Sequence, residues 1–181
     1  MSKLTPKNLI KKIELQLIIL NLKLQILLLK KKLTIPNLPS PKFIVVHHEG
    51  ASNGFEAVNK WHKKIWSFKS SLGYYVGYHY YISIDGTLHQ ARRDNEEAAH
   101  CVEPGNPHFW NKNSLGICCQ GNTNEKTITE EQSKTLKELL NKKIKEYNIP
   151  KDKILGHKEI SQTSCPGQNL YRWLQIYKGR V

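Results

Sequence analysis

Residues 156–167 read GHKEISQTSCPG, and the reading of this stretch decides how the rest of the chain is understood. It carries one histidine, His157, and one cysteine, Cys165, separated by short polar residues and closed by Pro166-Gly167. Imidazole and thiolate are ligands that a tetrahedral zinc ion prefers, and a Pro-Gly turn would fix the direction of the Cys165 side chain. Two ligands do not make a site. A catalytic zinc takes three protein ligands and leaves its fourth position to water. The best candidate for the third is His47, in FIVVHHEG at residues 43–50. Taken alone, a lone His followed by a lone Cys is more often a surface imidazole and a buried small hydrophobe. The zinc reading gains its weight from the segments between.

Upstream, FIVVH is a β-branched apolar run that predicts a buried strand, with His47 at its C-terminal end. His48 follows, and neighbouring strand residues face opposite ways, so only one of the two can be a ligand. Residues 55–68 predict an amphipathic helix with Val58, Trp61, Ile65 and Phe68 on one face; His62 within it reads as a surface residue. YHYYISI at 78–84, Asp85-Gly86 and then 87–90 predict a β-hairpin with a two-residue turn. Residues 103–112 form a Pro/Gly/Asn loop bearing aromatics. LGICC at 115–119 predicts another buried strand, with Cys118 and Cys119 on opposite faces. Thr129 to Gln132 is a capping box that opens a helix through about Tyr147, and residues 169–177 read as a last short helix. Strands and helices are interspersed, so the expected fold class is an α/β or α+β sheet domain.

The first 41 residues differ in kind. Leu, Ile, Lys, Gln and Asn dominate, and Ile10, Ile13, Leu17, Leu20, Leu24 and Leu27 follow the alternating three- and four-residue steps of a coiled-coil seam. Residues 7–32 therefore read as a helix, a Leu/Lys-rich element preceding the main domain. The apolar run is short for a membrane span and contains Asn21 and Lys23; Lys30-Lys31-Lys32 stands where a signal peptide would carry a small-residue cleavage site. The expectation is self-association, with an interfacial membrane helix or an uncleaved anchor as the alternatives. TIPNLPSP then reads as a Pro-rich linker, dividing the chain into a helix at 1–33, a linker at 34–41 and a domain at 42–181.

At 181 residues the chain suits one domain plus an appendage. Its net charge of +13 draws it to polyanions such as nucleic acid, anionic lipid or the acidic polymers of a bacterial wall. No nucleic-acid motif accompanies the charge, so no specific nucleic acid is expected. Four cysteines, two of them adjacent, do not form the disulfide framework of a small secreted protein. One functional thiolate and three ordinary thiols are expected.

With the segments placed, the chain resembles the zinc-dependent N-acetylmuramoyl-L-alanine amidases, the family of the phage T7 lysozyme and the peptidoglycan recognition proteins. The resemblance rests on VVHHEG, GYHYYISIDGTLHQAR, the Ala99-His100 step, NSLGICCQGN and GHKEISQTSCPG, in that order over about residues 42–175. It implies a mixed central β-sheet flanked by helices, with a shallow groove holding one zinc ion, and with His47, rather than His48, joining His157 and Cys165 as ligands. It places Tyr78 on the catalytic tyrosine and Thr163 where members carry Lys or Thr. His100 and Asn113 match groove positions and become candidate substrate contacts. Arg92 matches the family's Gly-Arg step, with Ala91 in place of the glycine. The implied reaction is hydrolysis of the amide joining N-acetylmuramic acid to L-alanine, with peptidoglycan as partner. The implied setting is a lysis or wall-remodelling enzyme made in the cytoplasm without a clear cleavable signal and acting on the wall. The competing reading is a non-catalytic peptidoglycan-binding module of the same fold; such relatives typically lose the cysteine ligand, which is present here as Cys165.

Overall fold

The FIVVHH run forms β1 (Phe43–His48) and the LGICC run forms β4 (Ser114–Cys119), and the two lie side by side in parallel, with His47 level with Cys118. In this computed structural model residues 6–33, 40–102, 106 and 108–180 are described, with side chains of the first helix described for 11–26. On the other side of β1 lies β5 (Ile154–Gly156), also parallel. β2 (Tyr80–Ile82) runs parallel to β4, and β3 (Leu88–Gln90) closes that edge antiparallel, giving the order β3-β2-β4-β1-β5. Parallel strands covered on both faces read as continuous apolar runs, which is how the two central strands read.

Alternation along the strands builds two cores. Ile44, Val46, Ile82, Leu115 and Ile117 face Leu136 and Leu140 of α4 (Glu130–Tyr147) and Leu170 and Leu174 of α5 (Gln168–Lys178). On the opposite face Tyr81, Ala91 and Cys118 pack with Phe55 and Val58 of α2 (Phe55–Ile65), and Tyr78 joins them. Cys118 and Cys119 thus fall on opposite sides, as the alternation requires. The capping box at α4 is present: Thr129 accepts from the Gln132 backbone N–H, and the Gln132 side chain accepts from the Thr129 N–H. A short α3 (Phe109–Asn113) leads into β4.

Three local expectations change. In α2 the buried stripe is Phe55, Val58 and His62, while Trp61 and Ile65 face outward. His62 is therefore not a surface residue: it lies four residues after Val58, on the same side of the helix, and its Nδ1 accepts the Gly77 N–H at 3.0 Å. The hairpin does not use a two-residue turn. Ser83 N–H still bonds Thr87 at 2.9 Å, so Ile84, Asp85 and Gly86 make a three-residue turn. Gly86 has φ 81°, and a Cβ there would meet Glu131 at 2.8 Å. Of the loop at 103–112, residues 103–105 and 107 lie outside the described residues, as do 34–39 of the Pro-rich segment.

The Leu/Lys-rich stretch forms α1 (Pro6–Leu33), and the chain divides into two compact units between residues 38 and 39. Within α1 the described apolar side chains, from Ile13 to Ile26, are exposed. Among the described residues no helix is long and apolar enough to cross a membrane.

Candidate metal centre

His47, at the end of β1, and His157, the first residue after β5, come from neighbouring parallel strands. Their rings lie 4.5 Å apart between centroids. Cys165 returns on the loop that follows. That loop is closed by the Lys158 N–H bonding the Cys165 carbonyl at 2.7 Å. Gly156 has no room for a side chain, since a Cβ would meet Tyr171 at 2.8 Å and Pro166 at 3.0 Å. Gly167, at φ 84°, is hemmed in by Thr123. These two glycines let the loop lie flat enough for Cys165 to face the histidines.

The ligand atoms of His47, His157 and Cys165 all lie within 4.8 Å of one another. Cys165 Sγ is 3.6 Å from His47 Nδ1. Sulfur and nitrogen held tetrahedrally by one zinc would be separated by about 3.5 Å. His157 Nε2 is buried and has no hydrogen-bond partner among the described residues. A buried, unpartnered imidazole nitrogen is costly unless a ligand completes it. Burial pushes the His157 pKa down to about 4 and lifts the Cys165 thiol to about 12; burial first, then the neighbouring histidines, holds His47 well below the ordinary range. The imidazoles are neutral, as ligands must be, and a divalent cation is what would favour the thiolate. The residues present fit a zinc ion.

His47 also points the other way. Its Nε2 lies 2.9 Å from His100 Nδ1, and His100 Nε2 lies 3.3 Å from Ser114 Oγ, whose hydroxyl donates to the Trp110 carbonyl at 2.6 Å. If Nδ1 of His47 binds metal, Nε2 carries the proton. The chain of donors then runs in one direction, from His47 through His100 and Ser114 to a backbone carbonyl. His47, His100 and Cys101 form a second cluster of possible ligands. Its contacts are 2.9 Å and 3.0 Å, hydrogen-bond lengths shorter than two ligands of one zinc would show. His100 is therefore a buried support of His47 rather than a wall of the groove.

Tyr78 stands beside the centre, 5.2 Å from the His47 ring. Burial, reinforced by the Cys118 and Cys165 sulfurs, holds its hydroxyl protonated. It also lines a cavity of about 390 Å³ with Glu49, Asn53, Val58, Trp61 and His62. Glu49 is committed there: Tyr81 O–H and the Asn53 N–H each donate to one of its oxygens, at 2.7 and 2.9 Å. Thr163 Oγ1 accepts the Cys165 N–H at 3.2 Å, leaving the hydroxyl proton available. His48 faces away and accepts the Thr123 N–H at 3.1 Å. Asn113 is not brought to the centre. It precedes Ser114 at the opposite end of β4 from Cys118, and its amide donates to the Phe109 carbonyl at 2.8 Å.

Three further residues gain a place from the contacts around Tyr78. Arg92 is buried, its guanidinium donating to the carbonyls of Val76, Phe68 and Glu97, so it clasps the loops behind Tyr78. Glu49 and Trp61 emerge as cavity walls. The signal for His100 was Gly116 in an otherwise bulky buried strand, where a Cβ would meet the His100 ring at 2.6 Å.

The profile of the N-acetylmuramoyl-L-alanine amidases (Amidase_2) matches residues 37–168. The chain belongs to this amidase family. Peptidoglycan-recognition protein SC2 of Drosophila melanogaster is 33% identical over 109 residues, covering 59% of the chain and 56% of that protein, so the chain spans little more than half its length. An endolysin of Enterobacteria phage K11 is 29% identical over 127 residues, 67% of the chain and 75% of the endolysin. Among solved structures, the N-acetylmuramoyl-L-alanine amidase LysC from Clostridium intestinale URNW superposes with a TM-score of 0.62 at 31% identity, covering 76% of this chain and 84% of that one. The amidase family thus includes both hydrolases and recognition proteins among the chain's relatives.

Proposed function

We propose that the chain hydrolyses the amide between the lactyl group of N-acetylmuramic acid and L-alanine in peptidoglycan, with one zinc ion held by His47, His157 and Cys165. The observation that carries this is the convergence of two neutral imidazoles and a thiol, whose ligand atoms all lie within 4.8 Å of one another. Amides are poor electrophiles and neutral water is a poor nucleophile; a bound zinc lowers the pKa of water towards about 7 and polarises a carbonyl. The residues of the chain do the rest. Tyr78, kept protonated by burial, donates to the oxygen that gains negative charge as the amide carbonyl is attacked. Thr163 supplies a second neutral donor from the Cys165 loop. Neither is cationic, so the chain's own stabilisation of the oxyanion comes from oriented hydroxyls. The cavity walled by Trp61, Asn53 and Glu49 beside Tyr78 receives the substrate flanking the cleaved bond. Water adds across the amide, giving a carboxylate on the sugar side and a free amine on the peptide.

Retention of Cys165 and Tyr78 together favours hydrolysis over binding alone. The target is the bacterial wall, and the basic surface suits its acidic polymers. The N-terminal helix supplies self-association. Zinc content and muropeptide hydrolysis, measured together on the wild type and on Cys165→Ser, test the reading. About one zinc per chain with release of L-Ala-initiated peptide, both reduced in the variant, is the expected result. Zinc retained without cleavage would assign the chain to recognition, and protein that binds no zinc would remove the site.

A further inference from the structure

The exposed apolar residues of α1 fall into two stripes, not one, with Ile18 at the border of the second. Ile13, Leu17, Leu20 and Leu24 follow steps of four, three and four residues. Leu15, Ile19, Leu22 and Ile26 follow the same steps, displaced by two residues. At 3.6 residues per turn the two stripes lie about 160° apart, on nearly opposite sides of the helix. Polar residues fill the sectors between them: Glu14, Asn21 and Gln25 on one side, Lys12, Gln16 and Lys23 on the other. Each stripe alone is a heptad seam. The second reads Ile19 and Ile26 at one seam position and Leu15 and Leu22 at the other, the β-branched and Leu alternation that suits paired strands in a parallel coil.

This pattern excludes the simpler partners. A helix lying on a lipid surface buries one apolar face and turns a polar face to water, and α1 has no such division. It is also not apolar enough to span a bilayer. A two-stranded coil would cover one stripe and leave the other exposed. The surface that matches a heptad seam in spacing and length is a second copy of the same seam.

We propose that α1 is a two-sided assembly helix: each copy packs one stripe against one neighbour and the opposite stripe against another, so the chain assembles into clusters of more than two copies. The consequence for the molecule is a multivalent array of domains on a wall-sized polymer, where linked sites raise avidity without new contacts to substrate.

Sedimentation velocity and light scattering on the full chain test this. The variants are Leu17→Gln with Leu20→Gln on the first stripe, Ile19→Gln with Leu22→Gln on the second, and all four together. Gln is close to Leu in helix propensity, and circular dichroism at matched concentration confirms that helix content is kept. The wild type is expected to be larger than a dimer, each double variant to fall to a dimer held by its remaining stripe, and the quadruple variant to be monomeric. A monomeric or dimeric wild type overturns the proposal, as does a double variant that leaves the assembly unchanged. A wild type that is monomeric in solution but sediments with phosphatidylglycerol vesicles assigns the helix to lipid and also overturns it. Hydrolysis of soluble muropeptide, followed in the same samples, reports on the zinc site separately, so loss of assembly and loss of activity are distinguishable.

Discussion

His100 is the residue whose role changes most between sequence and structure. It is buried, and its Nδ1 lies 2.9 Å from His47 Nε2, where it would hold the direction of the His47 ring. Removing a group that orients a metal-binding histidine costs about 10–100-fold in metal affinity. His100→Ala is therefore expected to weaken zinc binding by that factor, read by competition with a chromogenic chelator, while circular dichroism stays unchanged. Gly116→Ala should do the same indirectly, because the added methyl must displace the His100 ring; affinities equal to wild type in both variants would reduce the relay to packing. The three ligand candidates were readable because His and Cys advertise their chemistry and bracket a conspicuous turn. The pairing of His100 with His47 was not, because the two lie 53 residues apart and no local pattern encodes that contact. Asn113 was placed in the groove by motif position alone, and strand direction puts it at the other end of β4.

At the scale of elements, α4 was legible from its capping box and its inward leucines. The face of α2 was not: Trp61 and Ile65 looked like core by apolarity, yet Phe55, Val58 and His62 share the buried side. What fastens α4 to the sheet was also hidden. Asp94 lies between Lys143 of α4, Tyr80 of β2 and Tyr147, accepting from the two tyrosines at 2.5 and 2.7 Å, and the Lys143–Asp94 pair is almost wholly enclosed. Breaking such a pair from one side leaves a buried charge, so Lys143→Met should lower the unfolding free energy by about 3–5 kcal/mol in urea titrations. Burial alone would raise the Asp94 pKa; hydrogen bonds from Lys143, Tyr80 and Tyr147 outweigh it and the net shift is downward. The stability from a depressed carboxyl is full above its unfolded value of about 4 and is lost as pH falls through the lower folded value. Urea midpoints followed from about pH 6 to about pH 2 should thus drop in the wild type across that window, and flatten in Lys143→Met, where the pair is already broken. Parallel curves would exclude Asp94 as the source. In the hairpin, Gly86→Ala meets both a positive φ and the α4 backbone at Glu131, and a loss of about 1–3 kcal/mol is expected in the same titration.

For the whole molecule, a net charge of +13 acts over a distance that salt shortens. Hydrolysis of intact, anionic walls should fall as salt rises from about 0.05 M to about 0.5 M, whereas turnover of a small soluble muropeptide should change little. Equal salt dependence would place the effect in the site rather than in attraction to the wall. The parallel pairing of β1 with β5 has a further consequence. His47 and Cys165 stand 118 residues apart in the chain, and an ion held between them would close a loop nearly as long as the domain itself. A metal that binds only the folded chain adds about 2.7 kcal/mol of stability at a hundredfold excess over its dissociation constant. The reagent that makes water reactive would then also be the rivet between the first and last strands. A zinc-starved protein would lose thermal resistance along with catalysis, and chelation would lower the melting temperature of the wild type but not of Cys165→Ser.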